Sequence, residues 1–368
     1  MIRIKSPGRI CLFGEHQDYL GYPTISMAIS KFIYLKAKKS NLKRFSIQLS
    51  DFNRDLEIPL KNRQLAYESD RDYLLSGYNQ FIRRGIKFQQ GFDIEINGDI
   101  PINAGAASSS ALVVAWLYFL NLISNRPLNK RELALEGFNT EVKEFKEAGG
   151  YMDFYNAVFG HVLFLNSQKR NLHKRLYRIQ LPGFILGHSL QKKKTVEDLK
   201  RIKEDSLRAF EVVGEILPQF NKFTTKLIDI KEHLESIKER YRKKIIGNLI
   251  NRDITIRAKQ HLEKYLHYLK EQNQNHNQIN QFYKKLGVLI NKHQAQLQHN
   301  IGITTKKIDK MIRHCIDAGA LGAKINGSGF GGTIFAFGIG QQKDITRAIQ
   351  QSAGIPYKIS TVAGVKTY

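Results

Sequence analysis

Apolar and polar residues alternate in the first part of the chain with the two-residue period of β-strands. Residues 2–4 alternate, a proline-glycine turn is predicted at 7–8, and the apolar run 10–13 suits a second strand. Residues 93–98 alternate again. Residues 111–123 are apolar at nearly every position, which predicts a helix too apolar to lie on a surface. The pattern therefore predicts strands packed against a buried helix.

The remainder of the chain is mostly helical by pattern. Charged helices are predicted over 129–147, and residues 160–166 indicate a buried strand. Further helices are predicted over residues 194–215, 220–250, 252–300 and 304–318. A hydrophobic strand is predicted over 333–339. Because strands and helices follow one another without a βαβ rhythm, the predicted fold class is α+β.

The composition changes around residues 167–175, where polar and basic residues replace the apolar pattern. Such a change is typical of a connection between domains. We therefore expect an N-terminal domain over residues 1–170 and a C-terminal domain over residues 171–368.

Composition indicates a globular protein of a reducing compartment. Of the 368 residues, 42% are hydrophobic and 10% aromatic, which argues against wholesale disorder. No apolar run reaches the roughly 18 residues of a membrane span, and the N-terminus lacks the apolar region of a secretory signal. The two cysteines, Cys11 and Cys315, have no metal-ligand spacing, so both are expected in the core. We expect a cytoplasmic protein with no membrane partner.

The net charge is +25, from 58 Lys and Arg against 33 Asp and Glu. One interpretation is a polyanionic partner such as nucleic acid. The other is a solvated lysine-rich surface. The basic runs are dispersed, at 192–194, 240–244, 284–285 and 306–307, and no nucleic-acid-binding motif accompanies them. The second interpretation is favoured, so no specific nucleic-acid partner is expected.

The first segment that could form part of a functional site covers residues 7–19. It places Arg9, Glu15, His16 and Asp18 directly after an apolar strand, with Gly14 allowing a sharp turn. These side chains are donors and acceptors of the kind that a polyhydroxylated ligand requires. The alternative is an ordinary charged turn.

Two further segments are rich in small residues. In residues 101–111, a helix beginning at the serines would direct free N–H groups at an anion, and serine hydroxyls could bind phosphate or Mg²⁺. The alternative there is a serine N-cap after a flexible loop. Residues 327–332 contain four glycines, which favours close approach of a ligand over a simple tight turn. No Gly-Lys dipeptide occurs, which excludes a Walker-type loop.

Together these segments resemble the motifs of the GHMP kinases, in the same order. Residues 7–19 resemble the galactokinase signature, with Cys11 in place of Asn. Residues 101–111 resemble the family's phosphate loop, with alanines at 106 and 107. Residues 322–332 resemble its glycine-rich loop, with Asn326 where Thr is usual. Residues 150–153 resemble the galactokinase G-I-M-D element, and Glu141 stands twelve positions before Asp153, the family's spacing for a Mg²⁺-linked glutamate.

The resemblance implies two α+β domains with ATP between them, the first related to a ribosomal-protein fold and the second ferredoxin-like. It implies that Asp153 is the general base or orienter of the attacking hydroxyl, and that Arg9 stabilises the transferring phosphoryl group. Mg²⁺ would be held by Ser109 and Glu141. The implied substrate-binding residues are Glu15, His16, Asp18 and Gly150. The implied ATP-binding residues are Ala104, Gly105, Ala106, Ala107, Ser108, Ser109, Ser110, Gly327, Ser328 and Gly329.

The expected activity is ATP-dependent phosphorylation of a sugar hydroxyl, with the anomeric hydroxyl of galactose or a related sugar as the acceptor. Three alternatives remain: heptose or another sugar, a mevalonate-like alcohol, and a catalytically silent homologue that senses ATP or sugar. Mevalonate kinases typically carry Lys where this chain has Arg9, which favours the galactokinase branch. The middle of the C-terminal half lacks the H-x-L…Y-x-x-R pattern expected of galactokinases.

Overall fold

The computed structural model describes residues 1–168, 172–192, 196–270 and 276–368. The strands are β1 Ile2–Phe13, β2 Thr24–Ser40, β3 Arg44–Leu49, β4 Arg54–Pro59, β5 Gly91–Gly98, β6 Val162–Asn166, β7 His173–Tyr177, β8 Phe184–His188, β9 Gly322–Asn326, β10 Thr333–Phe337, β11 Ile355–Ile359 and β12 Lys366–Thr367. The α-helices are α1 Tyr73–Arg83, α2 Ser108–Leu122, α3 Lys130–Phe138, α4 Met152–Phe159, α5 Val196–Ile216, α6 Glu239–Lys270, α7 His276–Gln296, α8 Lys306–Asp317 and α9 Gln342–Gln351. Short 3₁₀ turns cover Asp18–Leu20, Ser50–Phe52 and Leu227–Ser236, and π-helical turns cover Asn139–Lys143 and Leu297–Ile301.

The first sheet has the order β12-β1-β2-β5-β3-β4, and β6 joins it by pairing with β2 and β7. The pairs are antiparallel except β3 with β5. Helix α2 packs against this sheet and is buried along most of its length, as its apolar sequence predicts. Trp116 is fully buried, and its indole N–H donates a hydrogen bond to the Leu74 carbonyl at 2.8 Å. This helix thus holds the phosphate-loop segment at its N-terminus.

The second sheet has the order β11-β8-β10-β9 and is antiparallel throughout. Helices α8 and α9 cover it with apolar faces that include Met311 and Ile345, and α7 packs along β9. A third apolar cluster joins α5 and α6 to Leu20 and Tyr22, which lie beside the Asp18 turn. The two sheets and the helices α5 and α6 therefore meet near residues 14–22.

The α+β prediction is confirmed, but several predicted elements were wrong in detail. The turn at 7–8 does not form, because β1 runs through it with only a shift in register between Pro7 and Arg9. Residues 220–226 are not helical, and α6 continues through the break predicted near residue 251. Helix α3 ends at Phe138, and a π-helical turn follows.

Residues 169–171 of the predicted domain boundary, and residues 193–194 of one basic run, lie outside the described residues. Beyond the boundary, β7 pairs with β6, and β12 returns to pair with β1. The division at residue 170 stays a prediction. Within the described ranges, no helix has both the length and the apolar character needed to cross a membrane.

Candidate active site

A cavity of about 370 Å³ brings the three motif segments together with the start of α4. The predicted site residues that line it are Arg9, Glu15, His16, Asp18, Gly105, Ala107, Ser108, Ser109, Ser110, Glu141, Gly150, Asp153, Gly327 and Ser328. Ala104, Ala106 and Gly329 lie behind this lining. The Ala106 carbonyl accepts a hydrogen bond from the Arg9 backbone N–H at 3.1 Å, and the Ala104 carbonyl accepts one from the Thr333 hydroxyl at 2.8 Å.

Arg9 and Asp153 form a bidentate ion pair at the centre of the cavity. The Arg9 Nε and Nη2 atoms lie 2.7 and 2.8 Å from the two carboxylate oxygens. Arg9 is only 6% exposed, and its Nη1 also donates to the Gly105 carbonyl. Burial opposes the guanidinium charge, but Asp153 and Glu15 outweigh it and raise the pKa of Arg9. Asp153 lies in the first turn of α4, where the helix dipole favours a carboxylate.

The phosphate-loop segment ends in a strained residue that begins α2. Ala107 occupies the N-cap position with a φ of 61°, a left-handed conformation that costs an ordinary residue on the order of 1–3 kcal/mol. No side chain caps this helix end, so the serine N-cap interpretation was wrong. The N–H groups of the first turn therefore have no side-chain cap, and residues 107–110 line the cavity, as an anion site requires.

Ser109 and Glu141, which the resemblance assigns to Mg²⁺, lie in direct contact. The hydroxyls of Ser109 and Ser110 donate hydrogen bonds to the two Glu141 carboxylate oxygens at 2.8 and 3.0 Å. Burial raises the pKa of Glu141 to about 8, against the effect of the serine hydrogen bonds. Among the described residues, no basic side chain forms an ion pair with this carboxylate, and no cluster of three metal-binding side chains occurs. One carboxylate beside a hydroxyl fits Mg²⁺, which usually completes its shell with phosphates and water.

Asp18 approaches the cavity because Gly150 has no side chain. A Cβ atom at Gly150 would lie 2.1 Å from Asp18 Oδ2, so any other residue would displace the carboxylate. The Asp18 Oδ1 atom accepts a hydrogen bond from the Tyr19 backbone N–H at 2.9 Å. Burial raises the pKa of Asp18 to about 7, and the nearby Asp153 carboxylate adds to the shift. Asp18 and Asp153 thus present two neighbouring acceptors at one end of the cavity.

His16 connects the Asp18 turn to the glycine-rich loop. Its Nδ1 atom lies 2.9 Å from the Tyr19 hydroxyl, and its Nε2 atom lies 3.1 Å from the Ser328 carbonyl. Because that carbonyl is only an acceptor, we assign the proton to Nε2. Burial lowers the pKa of His16 to about 4, so the ring is neutral. Both ring nitrogens have protein partners, so His16 stabilises the turn and its contact with the glycine-rich loop.

Glu15 pairs with a lysine that the sequence analysis did not single out. Lys324 of β9 is fully buried, and its Nζ atom lies 3.0 Å from Glu15 Oε2. The same carboxylate oxygen accepts a hydrogen bond from the Gly327 backbone N–H at 3.0 Å. Burial opposes the carboxylate charge, but Lys324 and Arg9 outweigh it and lower the pKa of Glu15. The signal in the sequence was a lysine within the otherwise apolar strand that precedes the glycine-rich loop.

Two of the departures from the family motifs, Cys11 and Asn326, lie in direct contact. Asn326 Oδ1 accepts a hydrogen bond from the Cys11 backbone N–H at 2.8 Å, and its Nδ2 donates to the Gly105 carbonyl at 2.9 Å. Asn326 therefore joins β1, the phosphate loop and β9. The Cys11 thiol is buried and free, and burial raises its pKa, so it packs in the core as predicted. Cys315 is likewise free and buried.

Comparisons with known proteins agree with this geometry. The model of the GHMP kinases N terminal domain matches residues 72–161, and that of the GHMP kinases C terminal domain matches residues 276–354. The galactokinase galactose-binding signature matches residues 2–39. The chain belongs to the GHMP kinases, a family of phosphotransferases that use ATP as the phosphate donor. Within that family it is galactokinase-like, and its fold is the family's two-domain architecture.

The relatives include both mevalonate kinases and galactokinases. Mevalonate kinase of Pyrococcus furiosus is 23% identical over 96% of this chain and 93% of its own length. Galactokinase of the same organism is 25% identical over 91% of this chain and 88% of its own length. Among solved structures, Lactococcus lactis galactokinase complexed with galactose has a TM-score of 0.81 at 19% identity, covering 99% of this chain and 94% of that one. Methanococcus jannaschii mevalonate kinase has a TM-score of 0.67 at 18% identity, covering 98% of each chain.

Proposed function

We propose that this protein transfers the γ-phosphoryl group of ATP to a hydroxyl of a neutral sugar, galactose or a close relative, at its anomeric carbon. The observation that carries the proposal is the charge at one end of the cavity, where Asp18 and Asp153 lie. We take this end as the one that binds the phosphate acceptor. Among the described residues that line the cavity, the basic ones are Arg9 and Arg71, and each is paired, with Asp153 and with Glu147 respectively.

This charge pattern suits vicinal hydroxyls better than a carboxylate. Asp18 can accept hydrogen bonds from two neighbouring hydroxyls, each contributing about 1.5–3 kcal/mol. Mevalonate carries a carboxylate, which would lie near the Asp18 carboxylate, while Arg9 is already paired with Asp153. Like charges at close distance disfavour binding, so a neutral polyol is the better acceptor.

The chain's own residues supply positioning and charge stabilisation. Asp153 accepts a hydrogen bond from the attacking hydroxyl and receives its proton as the new oxygen–phosphorus bond forms and the bond to the ADP oxygen breaks. Arg9 holds Asp153 in place and stabilises charge on the transferring phosphoryl group. The N–H groups at the start of α2 bind the phosphates. Ser109 and Glu141 would hold Mg²⁺, which neutralises phosphate charge when bound.

A mevalonate-like alcohol is the second candidate, because several archaeal mevalonate kinases match nearly the whole chain at 23–25% identity. The silent-sensor alternative is less favoured, since the Arg9–Asp153 pair and the Ser109–Glu141 contact are both intact. Two free, buried thiols support a cytoplasmic location. The dispersed basic residues support no specific nucleic-acid partner.

A coupled ADP-release assay against aldoses and mevalonate tests the proposal. We expect turnover with galactose or a related aldose, and none with mevalonate. The Asp153→Asn variant serves as the control for contaminating kinases. Turnover with mevalonate and with no aldose would reject the sugar proposal and support the second candidate. ATP binding without turnover on either class would support the silent sensor.

A further inference from the structure

The turn that carries Asp18 packs against the α5–α6 segment, which comprises helix α5, helix α6 and the residues between them. Leu20 and Tyr22 enter an apolar cluster with Phe210 of α5 and Leu249 of α6. The Gln17 side chain, fully buried, donates a hydrogen bond to the Asn248 carbonyl of α6 at 2.8 Å. This is the part of the chain in which the sequence shows no galactokinase pattern. Through these contacts it supports the turn that carries Asp18.

Lys222, in the loop after α5, makes a direct polar contact with the turn. Its Nζ atom donates a hydrogen bond to the Leu20 carbonyl at 2.7 Å. Its own carbonyl accepts hydrogen bonds from the Tyr22 hydroxyl and from Arg252 Nη1, both at 2.8 Å. The ammonium lies 4.9 Å from the centre of the Phe223 ring, a cation–π distance. The loop is thus fixed both to the turn and to α6.

A shift of the Leu20 carbonyl would be transmitted to Asp18. The two residues share one 3₁₀ turn, which Gly21 closes by donating its N–H to the Asp18 carbonyl at 3.0 Å. The Ser167 hydroxyl contacts the same carbonyl at 3.3 Å. On the cavity side, the Asp18 carboxylate occupies the space that a Cβ atom at Gly150 would fill. Small displacements of the turn therefore change where that carboxylate meets an acceptor.

We propose that Lys222 is a positioning residue for acceptor specificity: by fixing the Leu20 carbonyl, it sets the place of Asp18 relative to Asp153. Through Lys222, the α5–α6 segment then determines which arrangement of hydroxyls on the acceptor can bind to Asp18 and Asp153. This inference rests on the proposed function, because it takes Asp18 to face the acceptor.

The test compares Lys222→Met, which keeps the apolar stem and removes the donor, with Lys222→Arg, which restores a donor. Lys231→Met is the matched control, because Lys231 is exposed on the same segment. For Lys222→Met we expect the acceptor KM to rise about tenfold while the ATP KM stays within about twofold. The ratio of the kcat/KM values for two epimeric aldoses should move closer to one. Lys222→Arg should recover part of both effects, and Lys231→Met should match the wild type.

A purely structural role would give a different pattern. It would lower the melting temperature and the active fraction, leaving both KM values and the epimer ratio unchanged, and that result would overturn the proposal. If the wild type turns over only mevalonate, the proposed function fails, and the same variants are assayed with mevalonate. A KM change confined to that acceptor would still support positioning, whereas equal changes for acceptor and ATP would reject it.

Discussion

The buried pair between Glu15 and Lys324 makes a strong prediction about stability. Replacing Lys324 by Met removes the cation but leaves the Glu15 carboxylate 3% exposed, with the Gly327 N–H as its remaining close partner. Breaking a buried ion pair in this way costs about 3–5 kcal/mol. At roughly 2 °C per kcal/mol for a protein of this size, the melting temperature should fall by about 6–10 °C. The double variant Glu15→Gln with Lys324→Met should recover most of that loss, since neither charge of the pair is then present.

The pH dependence gives the sharper readout. In the wild type, Lys324 keeps the Glu15 pKa lowered, so the pair stabilises the fold above the unfolded pKa and loses its effect as pH falls. In Lys324→Met, the charge that lowers the Glu15 pKa most is absent, so this pKa is higher than in the wild type and the variant loses most stability above about pH 4.5. The gap in melting temperature between the two proteins should therefore narrow as pH falls toward about 4.5.

Lys36→Met provides the control, because the Lys36–Glu95 pair lies 3.4 Å apart on the surface with each side chain about 40% exposed. Such pairs contribute about 0–1 kcal/mol. Differential scanning fluorimetry across pH measures all four proteins. If Lys324→Met costs no more than Lys36→Met, or if its deficit is independent of pH, the reasoning about the buried pair is wrong.

Three further predictions concern the cavity. Asp153→Asn should lower kcat by at least about 10²-fold while ATP binding stays within a few-fold, and a kcat within tenfold of the wild type would remove Asp153 from its proposed role. Gly150→Ala should raise the acceptor KM by about tenfold without changing the ATP KM, because a Cβ there displaces Asp18; titration of each substrate checks this. Since the Asp18 pKa is raised to about 7 and the ionised form accepts the hydroxyls, kcat/KM for the acceptor should rise with pH through about 7. Asp18→Asn should abolish that rise, and an unchanged pH profile in this variant would contradict the role of Asp18.

The sequence predicted those parts of the fold that depend on local pattern. Helix α2 was predicted because its apolar positions leave no face for solvent, and its packing on the first sheet follows from that. The prediction of a turn at 7–8 was wrong. Pairing of β1 with β2 on both sides of Pro7 outweighs the local preference of a proline-glycine pair for a turn. A register shift absorbs the irregularity there.

The partners of the predicted site residues depend on distant contacts, which the sequence pattern does not encode. The motifs located Glu15, but its pairing with Lys324 joins residues 309 positions apart. Cys11 and Asn326 each departed from the family motif, and their hydrogen bond spans 315 positions. Lys222 belongs to no motif, and its contact with Leu20 becomes visible only when the helical segment folds against the first sheet. Pattern therefore identifies the chemistry, while tertiary structure decides how each group is held.

The return of the last strand to the first sheet has a consequence for folding order. β12 pairs with β1, and the Val365 N–H donates a hydrogen bond to the Ala157 carbonyl at 2.8 Å. During synthesis this edge of β1 stays uncovered until residues 366–367 have been made. Contacts of such long sequence separation slow folding, and an uncovered strand edge is a site for intermolecular pairing. Fragments that end near residue 170 would keep that edge open, so the N-terminal half should aggregate more readily than the whole chain.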